Sequence, residues 1–374
     1  MRVVVTGGGT GGHLYPALAV ADSLRDKYPD TQILYIGGDG IESEVVPKYG
    51  YDFREVPARW FYRGEGVLFT IREFFRAAYA TAKGIRASKK LISEFRPDAA
   101  IGTGGFVSVP VILAAHSRGV RCLIHEQNAF PGIANKIMAR FADRVLLGFP
   151  GTEKRFPHPE RCIYTGNPVR KEFFETDPEK AKKALGIPEG TLTVFTLGGS
   201  LGSHTINEAA YEYAKRISGR SDRFLIFGTG NRFYDEYRRR ADEDGLSDNI
   251  LMLGYIDDMP GKLAACDLMI CRAGALSLAE VAACGKPAII IPYPWSADDH
   301  QYHNARSVEE RGAALLVKED DAVPEHVASL AEMLISDGAR LAKMRHCSIS
   351  AAQAAVADMI AGEIRNVYES DKGL

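Results

Sequence analysis

CRAGALSLAEVAACGKPAIIIPYPWSADDHQYHNA, residues 271–305, joins a strand end, a small-residue turn, a helix, a second strand and a polar cluster in one continuous run. The apolar residues 268–270 just before it read as a buried strand, and Arg272-Ala-Gly-Ala then makes a turn whose small residues let a ligand approach the backbone. Helix signals follow at once. Ser277 stands where an N-cap would, and Glu280 comes three residues later, the spacing of a capping box. On spacing alone, the pair is a capped helix. After the next strand, residues 288–291, the chain passes Pro292 and Pro294 into Asp298-Asp-His-Gln-Tyr-His-Asn304. Plain loops seldom carry so many hydrogen-bonding side chains directly after a buried strand, so the cluster marks a candidate site.

The same grammar extends in both directions. Residues 192–197 form a strand that meets Gly198-Gly-Ser-Leu-Gly-Ser203 and then a helix from near Thr205; further strands fall at 224–227 and 250–253. In the first half, strand 2–5 runs into Thr6-Gly-Gly-Gly-Thr-Gly-Gly-His-Leu14 and a helix through Leu18, Val20, Ala21 and Leu24. Strands follow at 33–36, 98–101, 121–124 and 144–147. Strands alternating with helices imply parallel sheets and right-handed crossovers. Two such sets predict an α/β protein of two Rossmann-like domains facing across a cleft. Gly166-Asn-Pro168 is a turn signal at the midpoint and marks the hinge. The domains are therefore expected at residues 1–165 and 166–346, with an alanine-rich helical tail, about 347–370, packing back on the first.

Composition limits the function classes. At 374 residues the chain exceeds what one core usually serves. A formal net charge of -2 gives no general nucleic-acid footprint, so no nucleic-acid partner is expected. Six cysteines without a CxxC pair argue against a zinc ribbon or redox dithiol and suit a reducing compartment. No apolar run reaches the ~18 residues of a membrane span, and the amino terminus lacks a signal-peptide pattern. No GKS/T follows a glycine loop, which argues against a P-loop NTPase, and clustered Cys/His is absent as well. Asp242-Glu-Asp244 spells DxD but follows an arginine run rather than a strand, and reads as a solvated helix end.

A glycine loop between strand and helix leaves backbone N–H groups at a positive helix end, where anions are stabilised. Gly7, Gly9 and Gly12 satisfy GxGxxG, but Asp39 comes later than the dinucleotide fingerprint prefers. His13, just past that loop, is either a hydrogen-bonder at the helix start or a catalytic imidazole. His125 to Asn128 follow a strand end and are either ligand contacts or loop-fixing groups. Arg170, just beyond the hinge, is either a phosphate clamp or a surface arginine.

Residues 59–96 differ in character. Nine basic residues stand against three glutamates, with aromatics interleaved, among them Trp60, Phe61, Phe75 and Tyr79. Apolar positions from Ile71 to Ile85 keep helical spacing, while Arg72, Arg76, Lys83 and Lys90 follow another face. Such a helix is either a membrane-surface element or a core-packed helix with a solvated basic face.

Six stretches in order along nearly the whole chain carry a family resemblance: TGGGTGGHLYPALAVA, GTGGF, IHEQNAFPGIANK, TGNPVR, GGSLGSHTIN, and CRAGALSLAE with DDHQYHNA. They resemble the MurG family of bacterial peptidoglycan N-acetylglucosaminyltransferases, which have the GT-B architecture. The resemblance implies inverting transfer of N-acetylglucosamine from UDP-N-acetylglucosamine to the 4-hydroxyl of undecaprenyl-diphosphate-linked N-acetylmuramoyl-pentapeptide, converting lipid I to lipid II. It implies His13 as base or acceptor-site residue, with Thr10, Gly11 and Gly12 approaching donor sugar and acceptor diphosphate. Ser200 and Arg170 would hold the donor diphosphate. Ala275, Leu276, Ser277, Leu278 and Ala279 would offer backbone groups to the phosphates, Glu280 would take both ribose hydroxyls, and Ile256 would fix uracil through its backbone. Asn128 and Gln301 would recognise the sugar hydroxyls. His300 stands where some members carry glutamine, so a sugar contact there is less secure. No cofactor or metal is expected. Trp60, Phe61, Arg72, Phe75, Arg76 and Tyr79 would form an acceptor and membrane patch on the cytoplasmic face, peripheral and held by anionic lipid. Other cell-wall synthesis proteins are further expected partners. The alternatives are a UDP-sugar enzyme acting on diacylglycerol, a nicotinamide oxidoreductase built on the first glycine loop, and a nucleotide-sugar module without turnover.

Overall fold

The computed structural model describes residues 1–59, 67–199, 201–351 and 355–372. The chain divides into two compact units, Met1–Pro168 with Ala355–Leu374, and Val169–Ala354.

The first unit is built on a parallel sheet of seven strands: β1 (Arg2–Thr6), β2 (Gln32–Gly37), β3 (Asp52–Glu55), β4 (Ala99–Gly102), β5 (Arg121–Glu126), β6 (Arg144–Leu147) and β7 (Cys162–Tyr164). Their order is β3-β2-β1-β4-β5-β6-β7, and Val4 of β1 sits between Leu34 of β2 and Ala100 of β4. The second unit carries a parallel sheet of six: β8 (Leu192–Leu197), β9 (Arg223–Gly228), β10 (Ile250–Leu253), β11 (Leu268–Cys271), β12 (Ala288–Ile290) and β13 (Ala314–Leu316), in the order β10-β9-β8-β11-β12-β13. Helices cover both faces, so central strands are mostly apolar; Val3, Val4 and Val5 are fully buried, as are Leu268 and Ile270.

In each sheet the order reverses beside the first strand. The chain leaves β1 and β4 in opposite directions, and likewise β8 and β11, opening a crevice at the strands' carboxyl ends. The sequence predicted ten of these strands. The three it did not, β3, β7 and β13, are all sheet edges. An edge strand has neighbours on one side only and carries exposed residues, such as the Asp, Arg and Glu of DFRE, which erase the apolar run.

The division falls after Pro168, three residues later than the expected boundary. The tail also divides differently. Helix Gly338–Ala351 belongs to the second unit, and only helix Val356–Lys372 joins the first. Val356, Ile360, Ile364 and Val367 bury one stripe against Leu14, Leu18 and Val20 of helix Gly11–Lys27 and the apolar face of the sheet. Ser23 Oγ donates to Asp358 at 2.6 Å and pins the contact.

Helix Val67–Phe95 runs in two characters. Gly84, Ser88 and Ile92 are buried at four-residue intervals, whereas Arg72, Arg76 and Tyr79 are exposed. The carboxyl-terminal half is therefore packed on the core, while the amino-terminal half leaves basic side chains exposed. Among the described residues no helix is long and apolar enough to cross a membrane, and no disulfide forms. Asp242 and Glu243 pair with Arg238 and Arg239 in the last turns of helix Tyr234–Glu243, while Asp244 accepts from Tyr211.

Truncating the tail stripe tests this packing. Ile360→Ala is expected to lower stability by about 2–4 kcal/mol in chemical denaturation, since the fully buried side chain leaves a cavity.

Candidate functional site

A cavity of about 670 Å³ opens at the β8/β11 reversal, lined by residues 198–199 and 201–205, by Arg272, Gly274, Ser277 and Val281, and by Tyr293, Trp295, Gln301 and Glu319. The loop after β8 approaches its neighbours so closely that Gly202, at φ +79°, would place a Cβ 2.2 Å from the Thr229 carbonyl. Two helices begin at the cavity. Ser203 caps helix His204–Ile217, its Oγ accepting the Ile206 N–H, and helix Ala275–Ala283 starts from Gly274 without any side-chain cap. Their first-turn N–H groups make the cavity electropositive.

Arg272 braces the floor. It donates to Ser203 Oγ at 2.7 Å and to the carbonyls of Ile291 and Pro292, and pairs with Glu319, which also accepts from Thr205. Burial works against the Glu319 charge, but the bonds from Arg272 and Thr205 outweigh it and hold the carboxyl below its usual range. Gln301 Oε1 accepts the N–H groups of Ala273 at 3.1 Å and Tyr293 at 3.0 Å. Its amide oxygen thus ties the two loops together and leaves the NH₂ end for a ligand. Asp298 and Asp299 both hold left-handed backbone, φ +51°, where the chain turns into helix His300–Glu310. The polar cluster is the start of that helix rather than a loop, and His300 Nδ1 lies 2.8 Å from the Ala297 carbonyl.

The capping box is overturned. Helix Ala275–Ala283 begins two residues before Ser277, so neither Ser277 nor Glu280 caps it. Among the described residues no hydrogen bond or ion pair reaches the half-buried Glu280 carboxylate. Burial pushes it up to about 7, with the Arg170 charge pulling the other way. Arg170 itself is exposed, its guanidinium 5.2 Å from the Phe173 ring. Ser277 and Val281 line the cavity; Glu280 lies on the adjoining face of the same helix. Ala275 and Leu278 turn their side chains into the core, and Ile256, on the loop after β10, packs against it. Ser200 lies outside the described residues.

At the β1/β4 reversal of the first unit a second constellation forms. Thr10 starts helix Gly11–Lys27 without a side-chain cap bond, and Gly11 and Gly12 make its first turn. Glu42, buried behind the loop, accepts Gly9 N–H and Gly38 N–H, each at 3.0 Å. His13 Nδ1 lies 3.1 Å from the Thr103 carbonyl and 3.2 Å from Gln127 Oε1. Gly104, at φ +106°, leaves room for that ring: a Cβ there would stand 2.7 Å from Nδ1. Glu126 is also buried and fully engaged, accepting the backbone and side-chain N–H groups of Asn128, Gly132 N–H and the Asn135 amide. His125 is completely buried, and loss of hydration lowers its imidazole to about 4 against a raising bond to the Gly166 carbonyl.

The first unit therefore holds His13, Thr10, Gly11, Gly12 and Asn128, and the second holds Arg170, Ile256, Gln301 and the helix of Glu280. On the basic helix, Arg72 and Arg76 flank the buried Glu73, which also pairs with Arg59, and Lys83 Nζ stands 4.7 Å over the ring of Tyr79. Trp60, Phe61 and the side chain of Phe75 lie outside the described residues. Sequence reasoning passed over Glu42, Thr103, Arg272 and Glu319 as site elements. Arg272 and Thr103 carried a signal, each standing directly after a buried strand and Thr103 within GTGGF; Glu319 meets Arg272 from 47 residues away.

The chain matches the glycosyltransferase family 28 N-terminal domain over residues 3–147 and the C-terminal domain of the same family over residues 193–360. A relative from Clostridioides difficile (strain 630), the UDP-N-acetylglucosamine–N-acetylmuramyl-(pentapeptide) pyrophosphoryl-undecaprenol N-acetylglucosamine transferase, is 39% identical over 99% of this chain and 90% of its own length. The crystal structure of Acinetobacter baumannii MurG superposes with a TM-score of 0.77 at 26% identity, covering 98% of this chain and 99% of that one. A UDP-GlcNAc 2-epimerase from Neisseria meningitidis bound to UDP-GlcNAc gives a TM-score of 0.70 at 12% identity, covering 98% of this chain and 100% of its own; it shares the fold alone.

The state of Glu280 has a measurable consequence. Its folded value, about 7, lies above that of an unfolded glutamate, so the native state binds the extra proton. The stability this contributes is complete below the unfolded value and is lost as pH rises through about 7. Glu280→Gln is therefore expected to stabilise the protein at pH 8 by on the order of 1–2 kcal/mol, and by less at pH 5, in paired urea titrations.

Proposed function

The chain belongs to glycosyltransferase family 28, among the UDP-N-acetylglucosamine–N-acetylmuramyl-(pentapeptide) pyrophosphoryl-undecaprenol N-acetylglucosamine transferases, and from that membership we infer the reaction its residues perform. It transfers N-acetylglucosamine from UDP-N-acetylglucosamine to the 4-hydroxyl of the muramyl sugar of lipid I, giving lipid II with inversion at the anomeric carbon.

The observation that carries the donor assignment is the cavity of the second unit. Two helix N-termini open on it, and a carboxylate that receives no hydrogen bond among the described residues lies beside it. A diphosphate suits the helix ends, and the exposed Arg170 adds positive charge where the departing UDP gains a negative one. Glu280 accepts the two ribose hydroxyls, a carboxylate having lone pairs for both. Residues 275–279 offer backbone groups, Ile256 meets uracil through its backbone, and Ser200 joins the phosphate contacts. Gln301 uses its remaining NH₂ on the sugar, and Asn128 is a second proposed sugar contact. Charge on the leaving group is met by these groups, so transfer proceeds without a divalent ion or other cofactor.

A single displacement needs a base on the acceptor hydroxyl, and His13 is that base. The proton passes from the hydroxyl to the imidazole as the oxygen attacks the anomeric carbon and UDP departs. Thr10, Gly11 and Gly12 lie beside the sugar and the acceptor diphosphate. The acceptor is lipid-linked, so the exposed half of helix Val67–Phe95 docks the first unit peripherally on anionic lipid at the cytoplasmic face of the membrane. Arg72 is 60% exposed and Tyr79 64%, a basic and aromatic pairing that suits such a surface. Arg76 adds to the same exposed face, Trp60, Phe61 and Phe75 are assigned to the patch from the sequence alone, and other cell-wall enzymes are proposed partners.

The activity assay is transfer of labelled sugar to a lipid I analogue in the presence of EDTA. His13→Ala is expected to lower kcat by about 10²–10⁴-fold while leaving donor affinity within twofold. Transfer to diacylglycerol but not to the lipid I analogue would refute the acceptor assignment, and loss of donor binding in His13→Ala would remove the base role.

For the docking surface, sedimentation with anionic vesicles should show binding that weakens as salt rises, and Arg72→Glu should abolish most of it. Binding that ignores salt and this substitution would return the helix to a structural role.

A further inference from the structure

We infer that Gln127, with His125 behind it, acts as a positioning residue that sets the tautomer and orientation of His13, so that the ring offers an unprotonated Nε2 to the acceptor hydroxyl. The inference rests on His13 serving as the base.

The argument begins with the Gln127 amide. Its Nε2 lies 2.7 Å from the Thr103 carbonyl and 3.2 Å from the His125 carbonyl. Two carbonyl oxygens can only accept, so this end of the amide must be the NH₂. Oε1 therefore faces His13 Nδ1 at 3.2 Å, and the Thr103 carbonyl faces the same nitrogen at 3.1 Å. One ring nitrogen between two acceptors must carry the proton. A neutral His13 then has its lone pair on Nε2, the nitrogen that the protein leaves for substrate. The Thr103 hydroxyl donates to the His13 carbonyl at 2.6 Å, so residue 103 holds both the backbone and the ring.

His125 completes the chain of bonds. Its Nδ1 is 3.0 Å from Gln127 Nε2 and must accept; its Nε2 is 2.9 Å from the Gly166 carbonyl and must donate. That pattern requires a neutral imidazole, because a protonated one has no acceptor. Complete burial supplies the condition by lowering His125 to about 4, so the ring is uncharged near neutrality. The Asn167 amide donates to the Gln127 carbonyl at 2.9 Å and anchors the backbone of the same residue. The bonds thus run from the Gly166 carbonyl through His125 and Gln127 to His13; the two Gln127 N–H groups face three acceptors, so one is shared between the His125 carbonyl and its Nδ1.

During transfer the hydroxyl proton goes to His13 Nε2 while Nδ1 keeps its own. The imidazolium that forms still faces the Gln127 amide oxygen and the Thr103 carbonyl, two dipoles directed at its positive charge. Gln127 is buried and touches neither reacting atom, so it works through His13.

Two measurements test this. In full-length protein labelled with ¹⁵N-histidine, with His13 and His125 assigned by single substitutions, long-range ¹H–¹⁵N spectra at pH 8 are expected to show His13 protonated on Nδ1 and His125 on Nε2. Gln127→Leu is expected to lower kcat at least tenfold with the donor KM within twofold. In a His13→Ala background the same substitution is expected to change the residual rate by less than twofold, because a residue acting only through His13 has nothing left to act on. A His13 protonated on Nε2 overturns the inference even if Gln127→Leu does not fold, and so does a Gln127→Leu loss that persists without His13. Failure of the base reading is distinguishable: His13→Ala would then retain turnover, whatever tautomer the spectrum shows.

Discussion

A parallel sheet whose strand order reverses beside its first strand must send the chain to opposite faces from two adjacent strand ends. The gap that results is where both constellations form, at β1/β4 and at β8/β11. The physical constraint on the gap is backbone proximity. Around Gly104 and Gly202 the neighbouring atoms stand so close that any side chain would collide with the His13 ring or with the Thr229 carbonyl. These loops can therefore carry almost no side chains of their own at their closest points. The chemistry comes from residues at their margins, and the loops are held from behind by groups reaching in from elsewhere.

Carboxylates show this division of labour. Glu42, Glu126 and Glu319 are each enclosed by donors from loops, and each stabilises a turn that has no regular backbone pairing. Glu280 is the contrast. It is partly removed from water without receiving any donor among the described residues, and its affinity for a proton rises accordingly. A satisfied buried carboxylate is architecture; one left without donors is suited to a ligand that brings its own hydroxyls.

Much of this was legible in the sequence. Ten strands, the two-unit plan and the three glycine loops follow from apolar runs and their punctuation, because strands buried on both faces are built mostly of apolar residues. Edge strands escaped, since three of the four residues of Asp52–Glu55 are charged and Ala314–Leu316 is three residues long. The capping box on Ser277 and Glu280 was a false signal. Its spacing is sound, but Gly274 begins the helix earlier and leaves its first turn open toward the cavity. Ser277 therefore stands at the third helical position and Glu280 a full turn farther on, so neither occupies the place that the capping box gave it.

Family membership, the fold class and the residue types at each strand end were determined by the sequence alone, because they depend on local runs and on motifs read in order. Partnerships between distant residues were decided only by the tertiary structure. Within the stretch 271–305, Arg272 looked like a turn residue until Glu319 and Ser203 closed on it, and Gln301 looked like part of a polar loop until it bridged Ala273 and Tyr293. In the first unit, Gln127 was in the sequence either a ligand contact or a loop-fixing group after a strand end. Its amide acquires a direction only when Thr103, His125 and His13 surround it, since a hydrogen bond depends on the positions of both partners.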